Sequence, residues 1–490
     1  MISQPRTSIV PLTLSFVGDL ARLTGGAIGY YRTMVGKTNI AVVGAGYVGL
    51  VTGASLSYVG HRVACVDRDE GRISRLRRGE MPVYEPGLEE IISRGMRSGR
   101  LTFAGGIEEV VREADVVFIA VDTPRGDGGA ADLSNVGDVA RNIGRALAEA
   151  GRENLLVVAN KSTVPVGSGD YVSMLVEEGA EERGGSAPFS VVSNPEFLRE
   201  GSAVYDSLFP DRILLGSEDP AALRVMRSLY APIIGQDFPT GLKPRPKRQV
   251  PFVTTDLASA EMIKYAANAF LATKISFINE VSNLCELVGA DVTEVARGIG
   301  LDERIGSRFL NAGIGWGGSC LPKDVSALRA MAREYDHELA LLDATAAVNE
   351  RQRRRVIAKL QRDLHTLKGK RVALLGLSYK PDTDDLREAP SLKIAEALHT
   401  LGARAVGYDP VAGKAAAKRV PELLVTFDPY EALREAHAAV VVTEWEEIKD
   451  LDPKRAAPLM RDPKLVVDGR NALDPSSWRD AGLLYTAFGR

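Results

Sequence analysis

Cysteine is nearly absent from this chain. Only Cys65, Cys285 and Cys320 occur in 490 residues, far apart and never in a CxxC pair. That excludes a disulfide framework and the paired ligands of a zinc site, leaves no metal site to expect, and fits free thiols in a reducing cytoplasm. Excess charge of one sign is also missing. Lys+Arg 61 against Asp+Glu 64 gives a net charge of -3, which supplies no general attraction to nucleic acid or an anionic membrane. No run of about 20 residues is free of charge, so no membrane-spanning helix is expected. Residues 1–36 are apolar around Pro11–Val17 but broken by Asp19 and Arg22, and they carry no small-residue cleavage site. They read as an extension outside the fold, with Met34 as an alternative start.

What is present is an ordinary globular composition, 45% hydrophobic and 26% charged, on a chain too long for one core. Three domains are expected: 37–240, 241–365 and 366–490. The first opens on a buried-strand run, Thr38–Val43, followed by Gly44-Ala45-Gly46-Tyr47-Val48-Gly49, an apolar helix from Leu50 to Val59, and a second strand, Arg62–Val66, ending at Asp67. This is the order of a dinucleotide-binding unit. Gly44 permits the tight turn, Gly46 lets a pyrophosphate approach the backbone, and Gly49 lets helix pack on strand. Asp67 is placed to accept from ribose hydroxyls, favouring NAD over NADP, although Arg68 and Arg72 follow it. Further strands, Val116–Val121 and Leu155–Val158, lead into Thr123 and Thr163. Ligands of doubly wound sheets collect at such carboxyl ends.

An uninterrupted helix is predicted from Asp256 to Gly289, a spine between domains or a subunit interface, and a second helical segment from Val325 into Gln361. The first pattern then returns. Strand Lys370–Leu377, helix Ser391–Leu401 and strand Arg404–Pro410 enclose a longer turn without the second and third glycines. A second dinucleotide fits that turn poorly; a nucleotide-type ligand held by Lys380 and Arg387 fits better. The fold is read as α/β, two Rossmann-like doubly wound domains joined by a long central helix and a helical dimerisation region.

Between the two halves lies Gly317-Gly318-Ser319-Cys320-Leu321-Pro322-Lys323-Asp324. Pro322 suits the first turn of a helix, which puts Cys320 at its N-terminus, where the dipole and Lys323 favour a thiolate. The glycines leave room for a substrate. A structural cysteine is the alternative. Cys65 and Cys285, in apolar surroundings, read as core. Lys264 and Asn268 share a helix face and can reach one substrate oxygen, unless they form a solvated face. Glu196 and Glu200, four apart after strand Phe189–Ser193, can manage water or protons, unless they form an exposed pair. Two nucleotide-shaped domains with a thiol between them suggest an NAD enzyme acting on a nucleotide conjugate.

Gly46-Tyr47-Val48-Gly49-Leu50, Ser162-Thr163-Val164-Pro165-Val166-Gly167, Asn194-Pro195-Glu196-Phe197-Leu198, Lys264-Tyr265-Ala266-Ala267-Asn268-Ala269-Phe270 and the Cys320 motif together resemble the serial motifs of the UDP-glucose/GDP-mannose dehydrogenase family. The resemblance covers nearly everything after residue 36; the first 36 residues have no counterpart in it. It implies NAD-dependent, four-electron oxidation of a sugar C6 alcohol to a carboxylate, with Cys320 attacking the aldehyde and two NAD reduced per turnover. It implies an oxyanion-stabilising role for Lys264 and Asn268, water orientation by Asp324, thioester hydrolysis through Glu196 and a water held by Thr163. Tyr47, Val48, Glu200 and Lys323 join the glycines, Asp67, Arg72, Thr123 and Thr163 as cofactor contacts. Phe197, Leu198, Phe309, Leu310 and Gly317 resemble substrate-pocket positions, and Lys380, Arg387 and Arg470 nucleotide-diphosphate contacts. Arg304 resembles an arginine that enters the neighbouring subunit's site, implying a homodimer or larger. Ala266–Ala272 and Ser202–Asp206 resemble the branch that takes UDP-glucose. A sister enzyme for GDP-mannose or a UDP-N-acetylhexosamine, a single-step dehydrogenase and an NAD-sensing scaffold are the competing readings.

Overall fold

The computed structural model describes residues 37–186, 188–239 and 249–490; the expectation for residues 1–36 lies outside them. Two sheets organise the chain. In the first, β1 (Asn39–Val43), β2 (Arg62–Val66), β3 (Leu101–Ala104), β4 (Val116–Ile119), β5 (Leu156–Asn160), β6 (Phe189–Ser193), β7 (Ile213–Gly216) and β8 (Phe252–Thr255) lie in the order 3-2-1-4-5-6-7-8. All neighbours are parallel except β6 and β7. The second sheet holds β9 (Arg371–Leu375), β10 (Arg404–Tyr408), β11 (Leu424–Thr426), β12 (Ala438–Val441), β13 (Leu465–Asp468) and β14 (Leu484–Ala487) in the order 11-10-9-12-13-14.

The central strands of both sheets, such as β4, β5, β12 and β13, are buried on two faces, which is why they are largely apolar runs. Alternation sorts the side chains. Ile40, Val42 and Phe118 enter one core of the first sheet, and Ala41, Val43 and Ile119 the other. Val372, Leu374 and Val440 face away from Ala373, Leu375 and Val441 in the same manner. Cys65 belongs to the first of these cores and Cys285 to a small cluster beside Leu310, as their apolar neighbours suggested.

The predicted spine is a helix of 32 residues, Leu257–Val288, capped by the Asp256 side chain and ended by Gly289 in a left-handed conformation. Two expectations change. β8 pairs with β7, so the first sheet continues past the boundary at 240, because the chain returns to its edge before entering the spine. The helical stretch from Val325 to Gln361 is two helices, Leu321–Glu334 and Ala340–Leu364; the chain leaves the first through Asp336 at φ 52, with the His337 amide turned back to the Ala332 carbonyl. Among the described residues no helix is long and apolar enough to cross a membrane.

Helices Ser134–Ala150 and Ser168–Glu181 pack through reciprocal glycines: a Cβ on Gly144 would stand 2.0 Å from the Val176 carbonyl oxygen, and one on Gly179 2.1 Å from that of Arg141. The backbones touch, so no side-chain rearrangement relieves a substitution. Gly144→Val is expected to lower stability by about 1–3 kcal/mol or more, measured as a lower urea midpoint, while Gly151→Ala, with open space at its Cβ but φ 58, costs less.

Candidate active site

The first glycine turn ends at a helix, Tyr47–Tyr58, whose N-cap, Gly46, has no side chain to cap the first turn. Its first-turn amides are therefore available to an anion. Gly44, at φ 108, would place a Cβ 2.3 Å from the Ala120 carbonyl oxygen, and Gly46 has nothing within 4 Å. Asp67 accepts from the Ala45 amide at 2.8 Å and from Arg72 at 2.9 Å, which closes the turn against the end of β2. Gly44, Gly46, Asp67 and Arg72 line one cleft of ≈ 720 Å³. Bare backbone, a helix N-terminus and a carboxylate in one long cleft fit a dinucleotide. The second sheet differs at the same place. Asp409 is consumed by the Leu377 and Ser378 amides and by Trp445, and is 1% exposed, so no carboxylate faces a ribose there.

The two threonines at the strand ends meet, Thr123 Oγ1 donating to the Thr163 carbonyl at 2.8 Å. Just beyond, Glu261 of the central helix accepts from the Gly167 and Gly169 amides, both at 2.8 Å. That carboxylate fixes the Thr163 loop one turn before Lys264. Tyr47 turns elsewhere: its hydroxyl donates to Glu85, which also accepts from the Gly201 and Ala203 amides. Val48 sits half-buried in the same first turn.

Lys264 and Asn268 do not form a solvated face. Lys264 donates to the Glu196 carbonyl at 2.7 Å and to its carboxylate at 2.9 Å, and Asn268 donates to Asp324 at 2.6 Å. All four residues are buried. Burial opposes the Lys264 charge, but Glu196, Cys320 and Asp324 outweigh it and hold its pKa above the ordinary lysine value. Burial likewise pushes Glu196 up, and Lys264, with the Leu198 amide and Lys161, more than reverses it, leaving the carboxyl below its usual range.

Cys320 is the N-cap of helix Leu321–Glu334, and Asp324 in its first turn donates its amide to the Cys320 carbonyl at 2.9 Å. The thiol is nevertheless pushed up by burial; Lys264 opposes that shift, and Glu196 and Asp324 add to it. Lys264 and Lys380 are cations that face the sulfur, while Lys323 lies 2.8 Å from Asp324. The glycines before the thiol do not leave open room either. A Cβ on Gly317 would meet the Glu388 carbonyl at 2.3 Å and one on Gly318 the Tyr379 ring at 2.6 Å, so the last domain packs directly against this loop.

Glu196 and Glu200 follow an irregular backbone and part company, and neither is exposed. Glu200 accepts from Ser319 at 3.0 Å and from Thr383 at 2.9 Å, with Arg387 at 3.5 Å, and it does not line the Asp67 cleft. Arg387 is also paired with Asp385. Lys380, above the Tyr379 ring, has its pKa lowered by burial. Arg470 donates to the Val442, Gly315 and Tyr379 carbonyls at 2.7, 3.1 and 3.3 Å, tying the last domain to the thiol loop. Phe197 lies under Arg212 and Lys264, and Leu198 lines the same cavity of ≈ 220 Å³. Phe309 takes φ 64, rare for an aromatic residue, and Leu310 is buried against Ile278 and Cys285. Arg304 is exposed and paired with Asp302.

Lys161 escaped the sequence reading. It is buried, donates to the Asn194 side chain at 3.2 Å, and burial pushes its pKa down to about 8. An ammonium directly after a fully buried strand was the available signal.

Comparison with known proteins agrees with this arrangement. Residues 38–234 match the NAD binding domain of the UDP-glucose/GDP-mannose dehydrogenase family, 258–351 its central domain and 373–475 its UDP binding domain. The chain is 44% identical over 453 residues to UDP-glucose 6-dehydrogenase YwqF of Bacillus subtilis, covering 92% of this chain and 98% of that one. It is 46% identical over 459 residues to the UDP-glucose 6-dehydrogenase of Rhizobium meliloti, covering 92% and 99%. A UDP-glucose dehydrogenase structure from Pyrobaculum islandicum superimposes with a TM-score of 0.82 at 38% identity, over 92% of this chain and 97% of that one. A long cleft at the first sheet, a buried Lys-Glu-Asn-Asp cluster around a central helix and a thiol at the contact with a second sheet therefore lie in a chain that belongs to the UDP-glucose/GDP-mannose dehydrogenase family, as an NAD-dependent oxidoreductase.

Proposed function

We propose that this enzyme oxidises the C6 alcohol of UDP-glucose twice, delivering UDP-glucuronate through a thioester on Cys320. One observation carries the reading: Cys320 shares a buried cluster with Lys264, Glu196, Asn268 and Asp324. Gly44, Gly46 and Asp67 would hold NAD, which would supply the hydride acceptor for the sugar carbon. Lys264 has three N–H groups, two of them spent on Glu196, and Asn268 has one amide proton beyond that given to Asp324. The remaining donors suit a developing oxyanion on the C6 oxygen. Cys320 attacks the aldehyde carbon, the thiohemiacetal loses the second hydride, and water cleaves the thioester. Asp324 and Glu196, both ionisable and both beside the oxyanion donors, orient that water and take its proton. Thr163, held by Thr123, places a water at the cofactor side. Lys380, Arg387 and Arg470 are assigned to the UDP portion, with Phe197, Leu198, Phe309, Leu310 and Gly317 around the sugar nucleotide.

We further propose a cytoplasmic homodimer. Phe270, Phe277 and Leu284 recur every seven residues on the central helix at 65%, 54% and 58% exposure, with Leu287 and Val288 continuing the stripe. A monomer would leave this apolar face in water. The exposed Arg304 suits entry into the partner's site.

Two NADH are expected per UDP-glucuronate formed, counted by absorbance against chromatographed product; one NADH per UDP-glucose consumed would remove the thioester route. Cys320→Ala should lose acid formation by about a thousandfold or more, and Lys264→Met by roughly 100- to 1,000-fold in kcat. Turnover of another sugar nucleotide but not UDP-glucose would reassign the branch. Phe277→Asp combined with Leu284→Asp should shift the protein to monomers in sedimentation.

A further inference from the structure

Ser319 stands between two ionisable groups that belong to different parts of the chain. Its Oγ lies 3.0 Å from Glu200 Oε1 and 3.5 Å from Cys320 Sγ. A hydroxyl has one proton to donate and accepts through its lone pairs. When Glu200 is ionised it can only accept, so the Ser319 proton points to Glu200 and the hydroxyl oxygen is left to receive the thiol S–H. When Glu200 is protonated, the same three groups form the reverse chain, with Glu200 donating to Ser319 and Ser319 donating to a thiolate. Both directions satisfy every group, and they differ only in which end holds the proton.

We propose that Ser319 and Glu200 are positioning residues that form a proton relay for Cys320, taking the thiol proton when sulfur attacks the substrate aldehyde. The inference rests on the reading of Cys320 as the nucleophile. The S–H bond breaks as the proton passes to Ser319 Oγ, and the Ser319 hydroxyl proton passes to Glu200 Oε1. The thiol and carboxylate become a thiolate and a carboxylic acid with no net loss of protons. The sulfur electron pair then forms the C–S bond, and the carbonyl π pair moves onto the oxygen beside Lys264 and Asn268.

The surroundings suit both ends. Burial, followed by Asp385, pushes the Glu200 pKa up to about 7, against Arg387 and Lys380, which lowers the cost of protonating it. Tyr47 and Tyr379 also face this carboxylate. Burial of the Cys320 thiol disfavours release of its proton to solvent, and the charges facing the sulfur are Lys264, Glu196, Asp324 and Lys380. Thr383 anchors the second Glu200 oxygen at 2.9 Å, so the relay is assembled only where the last domain meets the thiol loop.

Below the Glu200 titration the thiolate population rises tenfold per pH unit. Above it, transfer from sulfur to Glu200 changes no net proton count, and the population stays level until the thiol loses its proton to solvent. Iodoacetamide labelling of the full chain, quantified at the Cys320 peptide from about pH 6 to about pH 9.5, reads this without substrate or cofactor. Cys65, buried with its thiol pushed up to about 12, and buried Cys285 serve as internal references. The wild-type rate should climb to about pH 7, where Glu200 titrates, and then level off. Ser319→Ala and Glu200→Gln should each climb about tenfold per unit through the same window. A wild-type rate that climbs without a plateau overturns the relay, whatever the variants do, as does a plateau that survives in Ser319→Ala. A plateau in a protein whose Cys320→Ala variant still forms the acid product keeps the relay and removes only the nucleophile reading.

Discussion

The charge of Lys264 is the constraint on which the site depends. An ammonium inside a protein is tolerated only if an opposite charge and further acceptors surround it, and removing one partner from such a pair costs roughly 3–5 kcal/mol. Glu196 supplies both a carboxylate and a carbonyl, and it does so from the loop after β6, while Lys264 comes from the central helix. The pair therefore fixes helix against sheet. Asn268, one turn on, is held in the same way by Asp324 of the thiol helix. Two buried polar contacts thus bring three segments of the chain to one point.

The same arrangement explains why the thiol is not simply activated by its helix. Position at an N-terminus favours a thiolate, yet Cys320 is enclosed by the last domain, and burial outweighs both the helix and Lys264. Burial therefore holds the thiol pKa above its ordinary value. The tight approach of Gly317 and Gly318 to Glu388 and Tyr379 is what encloses it. These glycines serve domain contact before they serve substrate access.

The two sheets show how similar topology is put to different uses. Asp67 and Asp409 end corresponding strands, and both accept from the turn of the preceding strand. Asp67 stands at a cleft among glycines, whereas Asp409 is saturated by Ser378 and Trp445. A carboxylate can discriminate a ribose only if it has acceptor capacity left over.

By itself the sequence determined the local structure. The runs at β1, β2 and β10, the glycine turn and the central helix with its Asp256 and Gly289 ends were legible because short apolar runs, left-handed turns and capping are short-range effects. Candidate residues such as Lys264, Asn268 and Cys320 were legible through their motif spacing and their apolar neighbours. Tertiary structure alone decided which charges meet: Glu196 with Lys264, Glu200 with Ser319 and Thr383, Lys323 with Asp324, and Lys161 buried beside Asn194. It also decided that β8 closes the first sheet and that the 325–361 helix is broken. The reason is physical. Hydrophobic period and turn chemistry act over a few residues, but desolvation and Coulomb energy depend on which groups share a buried volume, and here those groups lie as far apart in the chain as Glu200 and Thr383.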